Sequence, residues 1–297
     1  MDLKNTSVLC FGEVLFDLFP SGAKPGGAPM NVAIHLQNLG ISSGMISRIG
    51  RDDFGKQLID FLDKKGVNTE LMQMDPSRDT GTVRVNIDKN DDPVYTIVEK
   101  VAWDFIEDSF LKEEIHPNYI VHGSLICRSI ESNNSLQKLI KNTNSKVVFD
   151  LNVRSPYYSK SVIDELMKTA SIVKMNMEEF KMLKDWFYIK NPREQGDMKA
   201  LKALYPNLET IILTKGGKGA TAWRDGKMES VKVFPVKLVD TVGSGDAFLG
   251  AFIAKTNQGL GLKESLEFAS ATGSYVASKA GANPEYNEED ILKLMSQ

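Results

Sequence analysis

Short apolar runs alternate with amphipathic segments along most of the chain. Runs rich in β-branched or apolar residues predict strands at 7–11, 44–49, 118–121, 146–151, 171–175 and 210–213. Apolar residues at helical spacing predict helices at 30–39, 56–65, 132–141, 161–170, 178–185 and 197–205. This alternation predicts an α/β fold over 1–297, a three-layer α-β-α sandwich in which helices cover both faces of a mainly parallel central sheet. The segment 189–196 is expected to be a surface loop.

Two stretches break the alternation because no helix separates their strands. Residues 14–19 continue the first strand beyond Gly12, and 80–87 with 94–98 predict a hairpin around the polar turn 89–92. We expect these strands, inserted at about 14–20 and 79–100, to form a small antiparallel sheet that acts as a lid over a site on the main sheet. Its apolar residues alternate with polar ones, so one face must be covered. The expected cover is the same sheet of a second copy, which gives a two-fold homodimer through the lids.

Composition and charge narrow the class of protein. The chain has 297 residues, of which 42% are hydrophobic and 25% charged, and its net charge of −3 comes from interspersed basic and acidic residues. Nucleic acid and anionic membranes are therefore not expected partners. The N-terminus lacks a signal-peptide pattern, and the longest apolar run has about eight residues, so we expect a cytoplasmic protein. The two cysteines and three histidines show no metal-ligand spacing and are expected to be structural.

The run 240–250 reads Asp-Thr-Val-Gly-Ser-Gly-Asp-Ala-Phe-Leu-Gly and carries the clearest chemical signal. Gly243, Ser244 and Gly245 predict a tight turn, and the apolar stretch that follows predicts a buried helix. Since a helix N-terminus is partly positive and presents unpaired N–H groups, an anion should bind at this turn. The carboxylate of Asp246 beside it would repel a phosphate, but it suits a base that takes a proton from an attacking hydroxyl. The alternative is that Asp246 only caps the helix.

Polar residues elsewhere form three further candidate groups. Asp17 interrupts an apolar run and is costly there without a partner, so it could accept hydrogen bonds from hydroxyl groups or else face outward from a strand. Gly26 and Gly27 allow a ligand to approach the backbone just before a helix that carries Asn31, although an ordinary loop into a helix explains them too. A third group follows two middle strands, where the segments 150–154 and 174–179 place polar residues suited to a phosphate and metal site.

These motifs together resemble the ribokinase-like (PfkB) carbohydrate kinases over essentially the full chain. The run 240–250 matches the family's C-terminal signature Asp-Thr-x-Gly-Ala/Ser-Gly-Asp-x-Phe-x-Gly. The segments 25–33 and 50–55 resemble its N-terminal motifs, and with Gly12-Glu13-x-x-x-Asp17 they look most like bacterial fructokinases. The resemblance implies transfer of the γ-phosphate of MgATP to a primary hydroxyl of a free sugar, with fructose as the first candidate. Ribose, 2-keto-3-deoxygluconate, tagatose and nucleosides are alternatives, as are an ADP-dependent or phosphosugar kinase and a non-catalytic sugar-binding regulator.

The resemblance also implies a role for each matching residue. The catalytic group comprises Asp246 as base, Gly243, Ser244, Gly245 and Arg154. The sugar-binding group comprises Asp17, Gly26, Gly27 and Asn31. The nucleotide-binding group comprises Asn176, Thr214, Lys215, Gly217, Gly219 and Gly273. Glu179 is implied to hold Mg²⁺, often through water, and Asp240 is a candidate ligand of a monovalent cation such as K⁺.

Local structure offers an alternative explanation for part of this set. Asn176 and Glu179 have the spacing of a helix N-cap and capping box. The segment 214–219 could simply be a tight glycine turn into the next strand. The helix predicted at 265–280 is rich in small residues, which leave room for a planar base but also permit close packing of helices.

Overall fold

The computed structural model describes residues 5–87, 93–112 and 115–297. In this part of the chain the strands are β1 (Val8–Phe11), β2 (Leu15–Phe19), β3 (Gly22–Gly26), β4 (Ser43–Gly50), β5 (Met72–Asp75), β6 (Gly81–Ile87), β7 (Pro93–Ile97), β8 (Tyr119–Gly123), β9 (Lys146–Asp150), β10 (Ile172–Asn176), β11 (Thr210–Thr214), β12 (Ala220–Arg224) and β13 (Lys227–Val231). The α-helices are α1 (Ala28–Asn38), α2 (Asp53–Lys64), α3 (Ile130–Asn142), α4 (Lys160–Thr169), α5 (Met177–Phe187), α6 (Glu194–Leu204), α7 (Ser244–Asn257), α8 (Leu262–Ala277) and α9 (Glu288–Met295). Short 3-10 helices lie at Ala102–Phe105, Asp108–Lys112, Leu125–Arg128 and Gly216–Lys218.

The central sheet confirms the predicted α/β class. Its strand order among the described residues is β13-β12-β11-β10-β9-β8-β1-β4-β5. The pairings from β11 to β5 are parallel, and β12 and β13 extend one edge in antiparallel fashion. Strands β1 and β8 are buried along their whole length, which is why they read as continuous apolar runs. The carboxyl ends of the parallel strands therefore lie along one side of the sheet.

Helices cover both faces of this sheet, and alternate residues of β1 pack against the helices of opposite faces. Val8 and Cys10 pack into a core shared with α1, α7 and α8, whereas Leu9 and Phe11 pack into a second core with α3 to α6. Successive strand residues point to opposite faces, so one short apolar run serves two cores. Among the described residues no helix is both long enough and apolar enough to cross a membrane.

The lid forms a separate sheet of order β3-β2-β6-β7. The β2–β3 and β6–β7 pairs are antiparallel, as predicted for this sheet, while β2 and β6 pair in parallel. The predicted polar turn 89–92 lies outside the described residues. Strand β3 joins the lid although its sequence, Gly-Ala-Lys-Pro-Gly, has no strand pattern. Pairing with β2 across a short turn places it at the edge, where proline is tolerated.

The segment predicted as a loop at 189–196 is shorter than expected, because α6 begins at Glu194 instead of residue 197. The first turn of α6 carries Glu194 and Asp197, whose negative charges favour a helix N-terminus. Asp197 is buried and accepts a hydrogen bond from the backbone N–H of Asn191 at 3.1 Å, which fixes the chain as it enters the helix. The extra turn of helix thus has a local cause. Both cysteines are free and buried, as predicted.

Candidate active site

A polar cavity of about 540 Å³ lies between the carboxyl ends of the central strands and the lid sheet. Its wall on the lid side includes Val83 and Ile97. The lid strand β2 also contributes Asp17. The other charged and amide side chains in the wall come from outside the lid, among them Glu13, Asn31, Arg154, Lys174 and Asp246. The sequence-predicted sugar and catalytic groups are therefore brought together, although they come from opposite ends of the chain.

A second, apolar cavity of about 550 Å³ adjoins the first. Val233, Phe234, Leu238 and Phe248 give it apolar walls, and the predicted nucleotide residues Gly217, Gly219 and Gly273 also line it. The two cavities share Asn176, Thr214, Thr241 and Gly245. An apolar cavity that adjoins a polar one can hold an aromatic ring at one end and a polar group at the other.

The turn before α7 lies where the cavities meet. Gly243 is the N-cap residue of α7 and has a φ of 75°, in the left-handed region. A β-carbon there would lie 2.7 Å from the Cα of Ala282, so only glycine fits this position. The first-turn amides of Gly245 and Asp246 have no intrahelical partner by α-helix geometry. The turn therefore presents N–H groups and a positive helix end at the junction, as predicted for an anion site.

Asp246 is held by a side chain of α1 and does not cap its own helix. Its Oδ2 accepts a hydrogen bond of 2.8 Å from Nδ2 of Asn31, and Oδ1 of Asn31 accepts one of 2.8 Å from Nδ2 of Asn283. The N-cap alternative is wrong, since Gly243 holds that position without a side-chain bond. Burial raises the pKa of Asp246 to about 6, against the opposing effects of Lys174 and the Asn31 hydrogen bond. A carboxylate in this state can accept a proton near neutral pH.

A buried ion pair under the turn was not predicted from the sequence. Nζ of Lys174 on β10 lies 2.7 Å from Oδ2 of Asp150 on β9, and both side chains are almost fully buried. The ammonium is 3.7 Å from the position that a β-carbon would take at Gly245. The Asp150 carboxylate raises the pKa of Lys174, so Lys174 stays charged beneath the anion site. The only sequence signal was the polar residues that follow both strands.

Asn176 and Glu179 form the capping box at the start of α5, so the structural alternative for them is confirmed. Oδ1 of Asn176 accepts from the amides of Glu178 and Glu179, each at 2.9 Å. The Glu179 oxygens accept from the amides of Asn176 at 2.8 Å and Val153 at 3.0 Å. Both residues also line the polar cavity, so capping does not exclude a second use.

The same region fits a magnesium ion. Oδ1 of Asp150 is buried and has no hydrogen-bond partner among the described residues. Mg²⁺ is typically held by one or two carboxylates, retained waters and substrate phosphates. Asp150 could supply a direct oxygen, and Glu179, whose oxygens already accept from backbone amides, could act through water.

The lid end of the polar cavity is acidic. Asp17 on β2 lines the cavity, so the outward-facing alternative is wrong. Burial raises the pKa of Asp17 to about 6, partly offset by Arg154. A β-carbon at Gly26 would lie 2.6 Å from Oδ2 of Asp17, so glycine makes room for this carboxylate. Gly27 lines the cavity directly and is the N-cap residue of α1.

Two residues of the predicted site, Lys215 and Asp240, use their side chains for hydrogen bonds within the protein. Nζ of Lys215 donates to Oε1 of Glu194 at 2.7 Å and to Oγ1 of Thr221 at 2.6 Å. The Asp240 oxygens accept from the amides of Val242 and Gly281, each at 3.0 Å. Neither residue is part of either cavity wall. Asp240 thus connects the segment before α7 to the segment after α8.

Comparisons with known proteins agree with this geometry. The sequence model described as "pfkB family carbohydrate kinase" matches residues 5–289. The chain is 30% identical to the probable fructokinase-5 of Arabidopsis thaliana, with 97% of each chain covered. It is 26% identical to an uncharacterized sugar kinase from Pyrococcus horikoshii solved in complex with ATP, with a TM-score of 0.81 over 96% of this chain and 97% of that one. A fructokinase double mutant from Vibrio cholerae O395, solved with fructose, ADP and potassium ion, shares the fold with a TM-score of 0.83 at 22% identity over 97% of each chain.

Proposed function

Because the chain belongs to the pfkB family of carbohydrate kinases, we propose that it transfers the γ-phosphate of MgATP to a primary hydroxyl of a free sugar, with fructose as the first candidate. The position of Asp246 carries this proposal. The carboxylate lies at the N-terminus of α7, where a polar cavity suited to a sugar meets an apolar cavity suited to a nucleotide base. Fructokinases among the relatives support the choice of sugar.

The arrangement supports an in-line transfer. A sugar hydroxyl held in the polar cavity gives its proton to Asp246 as its oxygen forms a bond to the γ-phosphorus. The bond between that phosphorus and the bridging oxygen breaks, and ADP leaves with the electron pair. The amides at the start of α7 and the guanidinium of Arg154 stabilise the charge on the transferred group.

The ions have separate candidate positions. Asp150 and Glu179 would hold Mg²⁺, which would neutralise phosphate charge when bound. Asp240 remains our candidate for a monovalent cation, supported by the potassium ion in the Vibrio cholerae enzyme. Because its oxygens already fix Val242 and Gly281, a cation there would act on the shape of the turn and not on the sugar.

A coupled assay of ADP release over a panel of free sugars tests the proposal. We expect the highest kcat/KM for fructose, with ribose, tagatose, 2-keto-3-deoxygluconate and a nucleoside as comparison substrates. A nucleoside or phosphosugar that surpasses every free sugar would contradict the assignment. Sugar-independent ATP hydrolysis, measured in parallel, gives the background.

Replacing Asp17 by Ala should mainly harm use of the sugar. A carboxylate that accepts from a neutral hydroxyl contributes roughly 1.5–3 kcal/mol, so kcat/KM for the sugar should fall about tenfold to a hundredfold. The KM for ATP should hardly change, because the apolar cavity does not include Asp17. Arg84→Ala, at an exposed position on the neighbouring strand β6, serves as the matched control. Equal losses for ATP and sugar would show that Asp17 has only a structural role.

A homodimer through the lids stays a prediction, but it now rests on the open edge strands of the lid and not on an uncovered apolar face. Val83 and Val85 are buried within the single chain, so a partner is not needed to cover them. The lid still ends in two edge strands, β3 and β7, whose outer backbone groups can pair with a second copy. The side chain of Tyr95 lies outside the described residues.

Sedimentation velocity at micromolar concentration should therefore give twice the chain mass, with or without sugar. Ile97→Lys, or Ile97→Lys combined with Tyr95→Lys, should lower the dimer fraction. Since Ile97 also lines the polar cavity, the same change should raise the KM for sugar. A monomer under all these conditions would refute the dimer.

A further inference from the structure

Glu13 is a buried carboxyl group whose presence the proposed mechanism does not explain. It follows β1, is 4% exposed, and lines the polar cavity together with Asp17 and Asp246. Its Oε2 has no hydrogen-bond partner among the described residues. Buried polar atoms nearly always have a partner, and an unpaired one costs stability. An orphaned oxygen in the wall of a ligand cavity indicates that the ligand supplies the missing partner.

The charged groups around Glu13 come from several elements. Arg154 follows β9 and lowers the pKa of Glu13, as do the backbone amides of Glu13 and Ala28, while Asp246 on α7 raises it. Burial is the largest effect and brings the pKa to about 7. The thiol of Cys127 also lies near this side chain, and Asp17 on β2 lines the same cavity. The Lys174 charge in the same cavity is neutralised by Asp150.

The charges at this end of the cavity do not favour an anionic ligand. Among the described residues that line the cavity, Glu13, Asp17 and Asp246 share a single guanidinium, that of Arg154, which lowers the pKa of each. A carboxylate or phosphate on the acceptor would have to approach these three carboxyl groups. A neutral hydroxyl or carbonyl oxygen can instead bond to Oε2 of Glu13 whether that group carries its proton or not, since a carboxyl group donates when protonated and a carboxylate accepts.

We propose that Glu13 is a further sugar-binding residue, whose Oε2 forms a hydrogen bond with an uncharged oxygen of the acceptor and which disfavours acceptors that carry a carboxylate or phosphate. This inference rests on the proposed function, because it presumes that the acceptor occupies the polar cavity. It narrows the alternatives among acceptors to neutral sugars. It also explains why a carboxyl group is kept in a position where burial alone would favour an apolar residue.

Glu13→Ala and Glu13→Gln test the proposal together. Glu13→Ala should raise the KM and the calorimetric Kd for fructose about tenfold or more, with the KM for ATP changed less than twofold. Glu13→Gln keeps a hydrogen-bonding group of the same shape and should retain fructose affinity within about threefold. With its charge removed, Glu13→Gln should also lower the preference for fructose over 2-keto-3-deoxygluconate, measured as the ratio of kcat/KM values.

A pH series separates this role from a purely structural one. Between pH 6.5 and 8 the preference of the wild type for fructose over 2-keto-3-deoxygluconate should rise as Glu13 loses its proton, because the carboxylate repels the acid, and this rise should be absent in Glu13→Gln. The fructose Kd itself should hardly change, since either form of Glu13 can bond to a hydroxyl. Unchanged fructose affinity in Glu13→Ala, or equal losses for fructose and ATP, would overturn the inference. Calorimetry needs no turnover, so a protein that binds fructose without phosphorylating it would overturn the proposed function alone. A wild type that binds no neutral sugar would overturn both.

Discussion

Replacing Asp246 by Asn should lower kcat about 10²–10⁴-fold, the usual contribution of a positioned general base. Asn is nearly isosteric with Asp, and its side-chain oxygen can still accept the hydrogen bond from Nδ2 of Asn31. The start of α7 should therefore keep its shape, and both substrates should still bind. Single-turnover measurements of phosphoryl transfer, with calorimetric Kd values for nucleotide and sugar, would show the loss in the chemical step alone.

The pH profile provides a second check on this residue. Burial raises the pKa of Asp246 to about 6, and a base acts only when it is deprotonated. We therefore expect kcat at saturating sugar to fall as the pH drops through about 6. Saturation removes the effect of Asp17 on sugar binding, since burial raises the pKa of that carboxyl to about 6 as well. Asp185→Asn, a change of the same kind at an exposed position on α5 outside both cavities, is the matched control and should retain nearly full activity. Turnover by Asp246→Asn within a few-fold of the wild type would rule out Asp246 as the base.

Lys174→Met should destabilise the protein by about 3–5 kcal/mol, because it leaves the Asp150 carboxylate buried without its partner. The methionine is similar in volume to the lysine stem, so lost packing should contribute little. Urea denaturation followed by circular dichroism would give the free energy of unfolding. The anion site should weaken too, since Lys174 is the buried cation next to Gly245.

Two further variants test whether the loss of the buried ion pair causes this destabilisation. Lys146 and Glu209 form an exposed ion pair with an N–O distance of 2.6 Å, so Lys146→Met should cost no more than about 1 kcal/mol. Adding Asp150→Asn to Lys174→Met removes the stranded charge and should restore part of the lost stability. If Lys174→Met were no more harmful than Lys146→Met, the buried pair would not be the cause.

The order of β1, β4, β8, β9, β10 and β11 along the chain could be predicted because each of these strands carries its own apolar pattern, whereas β5 and β13 of the same sheet were not predicted. The run Val8–Phe11 is wholly apolar, and the segment before Gly40 has helical spacing. Strand β3 could not be predicted, since it is a strand only through its pairing with β2. The same is true of the 3-10 helix at Ala102–Phe105, where buried Asp104 pairs with Arg128 from a distant segment. Long-range contacts override local propensity at such places.

The candidate site also contains residues that could be predicted from the sequence and residues that could not. Asp246 and Asn31 could be identified because each lies in a recognisable motif, and their 2.8 Å hydrogen bond joins the two motifs. Asn283 has no motif of its own, yet it holds Asn31. Lys215 stands in a motif, but its side chain bonds to Glu194, which no pattern around it could indicate. Motifs predict which backbone segments meet, whereas the partner of an individual side chain depends on the folded structure.

The bond from Asn31 to Asp246 spans 215 residues, and this separation affects how the protein is made. A ribosome completes the sugar-side residues early, but the growing chain lacks the carboxylate of residue 246 and the amide of residue 283 until most of the domain has left the tunnel. Contacts of such high sequence separation form late and slow folding. A nascent chain therefore holds an unfinished catalytic centre during most of its synthesis, and α1, which packs on β1, must wait with exposed apolar surface for α7 to cover it. Phosphoryl transfer can begin only once synthesis is nearly complete.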